Sequence, residues 1–253
     1  MIVCYIKNIN SASTLILSAS KLALSLGKTF GIVLAQLKDK NTSDSDLNKL
    51  LLEKNISNCT LLNSNNEKEI NFICEEHEVS FLFIQLLDNK SSKIQKLLTA
   101  CRELRIPYIF YKDEYEELHT ESVLLPVNFL EEELEKAQFA SAFGRFCNSK
   151  IEILQANDYG TKATTNTRKM QDLFDKFNLN VKIEKAKGDS FKVDKEAVHK
   201  ASITDIGLII ITASREYGLD DQFFGPNELH LIKKSTKPIL LVNPRADLYA
   251  LCD

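Results

Sequence analysis

The residue types that most often carry chemistry are few in this 253-residue chain and widely spread. Four histidines, His77, His119, His199 and His230, have no acidic or cysteine partner at metal-ligand spacing. They read as surface residues rather than bases or ligands. Six cysteines (Cys4, Cys59, Cys74, Cys101, Cys147 and Cys252) never come closer than fifteen residues, so neither a zinc site nor a thioredoxin-like CxxC can be drawn from them. Free, buried thiols in a reducing compartment are the expectation. Sequons at Asn41, Asn55 and Asn58 carry no meaning without a secretory route. G-x-S-x-G, H-x-x-E-H and Walker patterns are absent. The threonine-rich run 160–169, GTKATTNTRK, reads as a mobile loop open to phosphorylation. No catalytic residue, metal ligand or cofactor is assigned, and the chain is expected not to be an enzyme.

The remaining place for chemistry is the end of a parallel sheet, which the strands and helices must build. Met1–Asn8 (MIVCYIKN) and Glu121–Asn128 (ESVLLPVN) are short apolar strands that both end in Asn. Each precedes an amphipathic helix and a second strand, with Gln36 and Gln155 at matching offsets. RIPYIFY and TKPILLV then close the two halves with a Pro-led strand. Two diverged copies of one strand–helix unit is the economical reading. Strands are expected near 1–7, 30–36, 58–62, 80–86 and 107–111, and again near 122–128, 150–156, 180–186, 207–212 and 238–243. In the second copy helices are expected near 130–147, 163–178, 191–203 and 221–235. The first of these opens on Glu131–Glu133, acids suited to a helix start, and carries a stripe of Phe139, Ala142, Phe143 and Phe146. Asn180–Lys187 alternates Val181 and Ile183 with Lys182 and Glu184 and then adds Lys185 and Lys187, as a lysine-protected edge strand does. Lys112–Thr120 is read as a charged linker.

Composition sets the bounds. At 44% hydrophobic and 26% charged, the chain is an ordinary globular protein with an ample core. A net charge of −3 gives no basic footprint for nucleic acid. No apolar run approaches the roughly 20 residues that span a bilayer. With no basic, apolar leader at the start, a cytoplasmic protein is expected. The net charge is +3 over residues 1–112 and −6 over 113–253, which favours mutual attraction of the halves.

Open parallel sheets bind ligands beyond their C-terminal strand ends, where strand order reverses. In the second copy the loops there are Asn128–Leu130 and Thr212–Gly225. VLLPVNFLEEELEKAQFASAFGRFCNSKIEIL, followed downstream by LIIITASREYGLDDQFFGPNELHLIKKSTKPILLVNP, resembles the universal stress protein family. That family opens on a strand ending Pro-Val-Asp and has a G-x-x-G-x9-G-(S/T) loop before its last helix. The resemblance covers most of 121–245 and extends more weakly to 1–112. It implies two Rossmann-like α/β domains, 1–112 and 121–253. Each is a doubly wound five-stranded parallel sheet of order 3-2-1-4-5 flanked by helices.

The resemblance also implies a nucleotide crevice formed by Val127, Asn128, Thr212, Arg215, Gly225 and Pro226. The match there is partial. Asn128 replaces the Asp, Thr212 and Arg215 stand where two glycines belong, and Pro226 replaces the hydroxyl residue and lacks an N–H. Arg215 could serve as a phosphate clamp. Pro226 also fits a helix start, and Asn128 a strand-end cap. The first copy has no glycine at the corresponding 87–92.

The implied protein is a non-enzymatic stress or regulatory factor acting through protein contacts. Adenine-nucleotide binding or slow ATP hydrolysis is the alternative, and an enzyme of the wider adenine-nucleotide group ranks last. ATP is expected to bind weakly or not at all. The family's dimer edge implies an intramolecular pseudo-dimer along Tyr108–Tyr111 and Ile239–Val242, or a homodimer.

Overall fold

The computed structural model describes residues 1–35, 40–64, 66–214, 218, 221 and 225–245. The chain divides into two compact units, Met1–Leu118 and His119–Asp253. The fold is α/β throughout, with parallel strands alternating with helices.

In the first unit, β1 (Ile2–Ile6), β2 (Phe30–Ala35), β3 (Cys59–Ser64), β4 (Phe81–Leu86) and β5 (Tyr108–Lys112) run in the order β3-β2-β1-β4-β5. Helices α1 (Ser13–Ser25), α2 (Lys40–Glu53), α3 (Ile70–Glu76) and α4 (Ser91–Cys101) link them. β1 and β4 are buried along their whole length, which explains their unbroken apolar runs: a parallel strand is covered on both faces. α1 packs Leu15, Ile16, Ala19, Leu22 and Ala23 inward at helical spacing. It stops at Gly27, whose φ of +60° lets Lys28 N–H return to the Ala23 carbonyl at 2.8 Å.

In the second unit, β6 (Ser122–Val127), β7 (Lys150–Gln155), β8 (Val181–Lys185), β9 (Leu208–Thr212) and β10 (Ile239–Val242) take the order β10-β9-β6-β7-β8. Counted within the unit this is again 3-2-1-4-5. The linking helices are α5 (Glu135–Phe146), α6 (Lys162–Asp175), α7 (Val193–Ser202) and α8 (Asn227–Lys234). β8 is the exposed, charge-bearing edge that its alternation predicts.

Several expectations need correction. Residues 162–169 are not a loop but the start of α6, because Asn166 and Thr167 face inward and are buried. The run 112–120 is no free linker through Leu118. Tyr115 and Leu118 are buried, Tyr111 donates its hydroxyl to the Glu116 carbonyl, and Ser18 Oγ accepts from Leu118 N–H at 2.9 Å. The buried face of α5 is Ala137, Ala140 and Phe143 together with the polar Glu135, Lys136 and Ser141, whereas Phe146 is exposed. Its approach from Glu131 to Leu134 is a 3-10 turn. The last helix begins at Asn227, so Pro226 is its cap rather than its first residue. Gln36, Arg215 and Cys252 lie outside the described residues.

Candidate functional site

Strand order reverses between β1 and β4 in the first unit and between β6 and β9 in the second, so each unit has one crevice position. In both, the Asn ending the first strand folds its own backbone. Asn8 Oδ1 accepts from Asn10 N–H at 3.1 Å, and Asn128 Oδ1 accepts from Leu130 N–H at 2.8 Å. The two residues thus form the same local turn, with the oxygen a ligand would need already engaged.

The first unit's crevice position is closed by Gln85. It sits in β4 at 0% exposure. Its Oε1 accepts from Lys7 N–H at 2.9 Å and Asn8 N–H at 2.8 Å. Its Nε2 donates to the Asn8 carbonyl, Ser11 Oγ and Asp113 Oδ1, each at 3.0 Å. The amides after β1 that could meet an anion therefore meet a neutral carboxamide. Gln85 stood in plain view in FLFIQLL, one polar residue in an apolar strand. A buried side-chain amide there must find partners in the neighbouring loops.

The second unit's strands part sooner. β1 pairs with β4 over four residues, but β6 pairs with β9 only at Val123↔Leu208 and Leu124↔Ile209. Pro126 follows, and having no N–H it cannot extend a ladder. Lys136, 0% exposed, reaches in from α5 to donate to the Pro126 carbonyl. It also pairs with Glu133 Oε2 at 2.6 Å, and Glu133 is 2% exposed. Asn128 N–H donates to the same Glu133 oxygen at 3.3 Å. Asn166 clamps the turn by donating to the Asn128 carbonyl at 3.1 Å and the Leu130 carbonyl at 2.8 Å. Phe129 N–H donates to Ser190 Oγ at 3.0 Å.

Of the sequence-predicted site residues, Val127 is buried at the end of β6 and Asn128 is spent on its turn. Thr212 is still strand, in register with Val242, so the loop starts only at Ala213, whose N–H is taken by the Val242 carbonyl at 2.9 Å. Gly225 has φ +79°, the left-handed region that favours glycine, and leads through Pro226 into α8. A carboxylate then takes the place an anion would want. Glu228, in the first turn of α8 and 2% exposed, accepts from Ser214 N–H at 3.1 Å and Ser214 Oγ at 2.8 Å. The donors at the start of the loop thus face an internal anion. Sequence reading missed both Glu228 and Lys136: an acid in a first helical turn has a sufficient explanation in the helix dipole, and a lysine reads as surface.

Asp194 of α7 completes the group. Its carboxyl is pushed up to about 7, first by burial and then by the charge of Glu133, against the opposing pull of Lys136. Glu228 adds to the rise, and Asn227 Nδ2, donating to Asp194 at 3.2 Å, opposes it. Asp194 thus lies in the field of two carboxylates, Glu133 and Glu228, and of Lys136. An incoming phosphate meets these carboxylates, and a repulsive contact costs more in a site shielded from water. Among the described residues no His/Cys/Asp/Glu cluster has the arrangement to hold a metal ion.

The thiols are free among the described residues. Burial drives those of Cys4 and Cys101 far up, that of Cys74 to about 12 and that of Cys59 to about 11. They are therefore poor nucleophiles.

A doubly wound 3-2-1-4-5 unit has its ligand position at the strand-one/strand-four boundary. Among solved structures this chain shares its fold with universal stress proteins. One from Archaeoglobus fulgidus superposes with a TM-score of 0.69 at 13% identity, covering 97% of each chain. A putative universal stress protein from Pseudomonas aeruginosa gives 0.62 at 12%, covering 99% of this chain and 95% of the other. The cytoplasmic domain of a prokaryotic cation chloride cotransporter gives 0.61 at 13%, covering 95% and 93%. No family model and no curated protein sequence matches the chain. Among the described residues no helix is long and apolar enough to cross a membrane.

Proposed function

We propose that this chain is a cytoplasmic, universal-stress-type regulatory protein that acts through protein contacts and not by catalysis. On this reading residues 1–112 and 121–253 are tandem five-stranded domains descended from one unit. The observation that carries it is that both crevice positions are filled from within, one by Gln85 and the other by Glu228 with the Lys136–Glu133 pair. A fold with its ligand position plugged keeps only its surfaces to work with. The same fold occurs as the cytoplasmic domain of a prokaryotic cation chloride cotransporter. Pairing of β5 with β10 into a pseudo-dimer is part of the proposal, since an apolar strand ending a sheet calls for cover; a homodimer through other surfaces remains compatible with it.

Adenine-nucleotide binding is the second reading. It is favoured by the left-handed turn at Gly225 ahead of α8, and would use Val127, Asn128, Thr212, Arg215 and Pro226, the crevice residues that the sequence resemblance implies. Losing two charge-assisted hydrogen bonds of roughly 1.5–3 kcal/mol each weakens such binding at least about 100-fold. Titration calorimetry of the full chain with Mg-ATP decides between the two. No binding tighter than roughly 100 μM, about −5.5 kcal/mol, is expected. A low-micromolar dissociation constant would promote the nucleotide reading.

A further inference from the structure

The two units end their sheets differently. β8 is guarded in the usual way: Lys182, Glu184 and Lys185 project from five residues, and Lys182 and Lys200 hold Glu184 at 3.3 and 2.9 Å. β3, which ends the first unit's sheet, has none of these guards. CTLLNS carries no charge and no proline, and its register against β2 is unbroken from Cys59 to Ser64, so no bulge turns it away. Leu61 is 47% exposed on it. Where β3 begins, Cys59 and Thr60 enter an open groove of about 800 Å³ whose apolar side includes Leu24, 82% exposed, and Ile56. Lys28 and Lys54 stand on the turns entering β2 and β3 and line the same groove. Neither has an ion-pair partner among the described residues.

We infer that β3 is a docking edge that takes an extended, carboxylate-tipped segment of a partner protein as an added strand. The inference deepens the protein-contact reading by naming a surface and a ligand chemistry. The row of backbone groups on the open side of β3 supplies hydrogen bonds to any extended chain, and Leu61 supplies a side-chain contact. Antiparallel addition is the more stable pairing per residue. It brings the C-terminal end of the added strand over Cys59 and Thr60, where Lys28 and Lys54 call for carboxylates. The two lysines thereby set direction as well as preference, in the manner of a charged rim.

The test uses the full chain and two fluorescein-labelled octapeptides, three Thr-Val repeats followed by Glu-Glu or by Lys-Lys. Fluorescence anisotropy is expected to show the Glu-Glu peptide binding at about 10–300 μM and the Lys-Lys peptide at least about tenfold more weakly. Leu61→Lys, which places a charge on an already exposed position, should weaken Glu-Glu binding at least about tenfold. Lys28→Glu with Lys54→Glu should erase the preference between the peptides. Hydrogen exchange of the unaltered protein should slow at β3 and nowhere else when the peptide is added. Absence of binding up to about 1 mM, or binding untouched by Leu61→Lys, overturns the inference. So does a dimer seen by sedimentation that Leu61→Lys dissolves, since a second copy would then own the edge. Calorimetry with Mg-ATP tests the functional reading separately, and peptide binding can fail while that reading stands.

Discussion

The reversal points of the two units solve one problem with opposite chemistry. The first unit fills its crevice position with a neutral carboxamide, Gln85, that accepts two hydrogen bonds and donates three. The second fills it with charge, the buried Lys136 and the carboxyl groups of Glu133, Asp194 and Glu228. The difference follows from the strands. Where β1 and β4 stay paired almost to their ends, one side chain suffices to close the gap. Where β6 and β9 part after Leu124, a wider space must be bridged by groups from α5, α7 and α8. A neutral plug is indifferent to pH, whereas a charged one is not. The comparison therefore makes predictions that differ between units.

The largest effect is expected at Lys136. Lys136→Met leaves Glu133 charged and buried, and the Pro126 carbonyl without its donor. Breaking a buried pair from one side costs about 3–5 kcal/mol. Urea unfolding should show that loss in the second unit's transition alone, and adding Glu133→Gln should restore a large part of it. Equal stability of the single variant and the unaltered protein would mean that the lysine is not buried as described.

Gln85→Leu comes next. It preserves bulk but strands the Lys7 and Asn8 amides, at about 1–3 kcal/mol for each group left unsatisfied. A loss of about 2–4 kcal/mol confined to the first unit is expected, and it should be the same at pH 5 and pH 8. A pronounced pH dependence would break the contrast between a neutral and a charged plug.

These two residues also show what could be read from the sequence. The strands themselves, the alternation that marks β8 as an edge, and the turns at Asn8 and Asn128 follow from local patterns: unbroken apolar runs, period two, and a short polar residue at a strand end. The order of the strands comes only with the family resemblance. Gln85 was readable in principle, because a polar residue inside FLFIQLL must be satisfied somewhere. Lys136 was not. Its burial is decided by the Pro126 carbonyl ten residues earlier and by Glu133, and nothing in EKAQFA separates it from a solvated helix lysine. The threonines of α6 misled for a related reason. Thr and Asn favour loops when solvated, but Asn166 and Thr167 are packed inward, and Asn166 spends its amide on the loop after β6. Tertiary partners overrode local preference at each of these places.

Asp194 sharpens the contrast on the pH axis. Its folded carboxyl titrates near 7 and its unfolded one near 3.8. The folded state therefore holds the extra proton between those values, and stability falls as pH rises through that window. Because Asp194 is only half-buried by surface area, solvent screening trims the effect to about 1–2 kcal/mol. Asp194→Asn should flatten the second unit's stability between pH 4 and pH 7 and raise it at pH 8 by that amount. The first unit's transition should not move. A variant that destabilises the protein at pH 8 would show that the ionised carboxylate is instead well satisfied.

The smallest effects should be equal in the two units, which makes them the control. Glu67 in the first lies between Lys7 at 2.5 Å and Lys96 at 2.7 Å, and Glu152 in the second between Lys150 at 2.6 Å and Lys200 at 3.3 Å. Partial burial alone would raise both carboxyl groups, but hydrogen bonds from the paired lysines outweigh it and hold both below the usual value. A lowered carboxyl contributes stability above its unfolded value near 4.5, and that contribution disappears as pH falls through the folded value. At each site one of the two lysines is well exposed, Lys96 at 67% and Lys150 at 42%, so solvent screening leaves each site worth only about 0.5–1 kcal/mol at pH 7. Glu67→Gln and Glu152→Gln should each lose that much at pH 7 and almost nothing at pH 3, and both losses should shrink in about 1 M salt. Unequal losses would mean that the units differ in their general electrostatic setting. In that case the contrast at the reversal points could no longer be traced to what fills them.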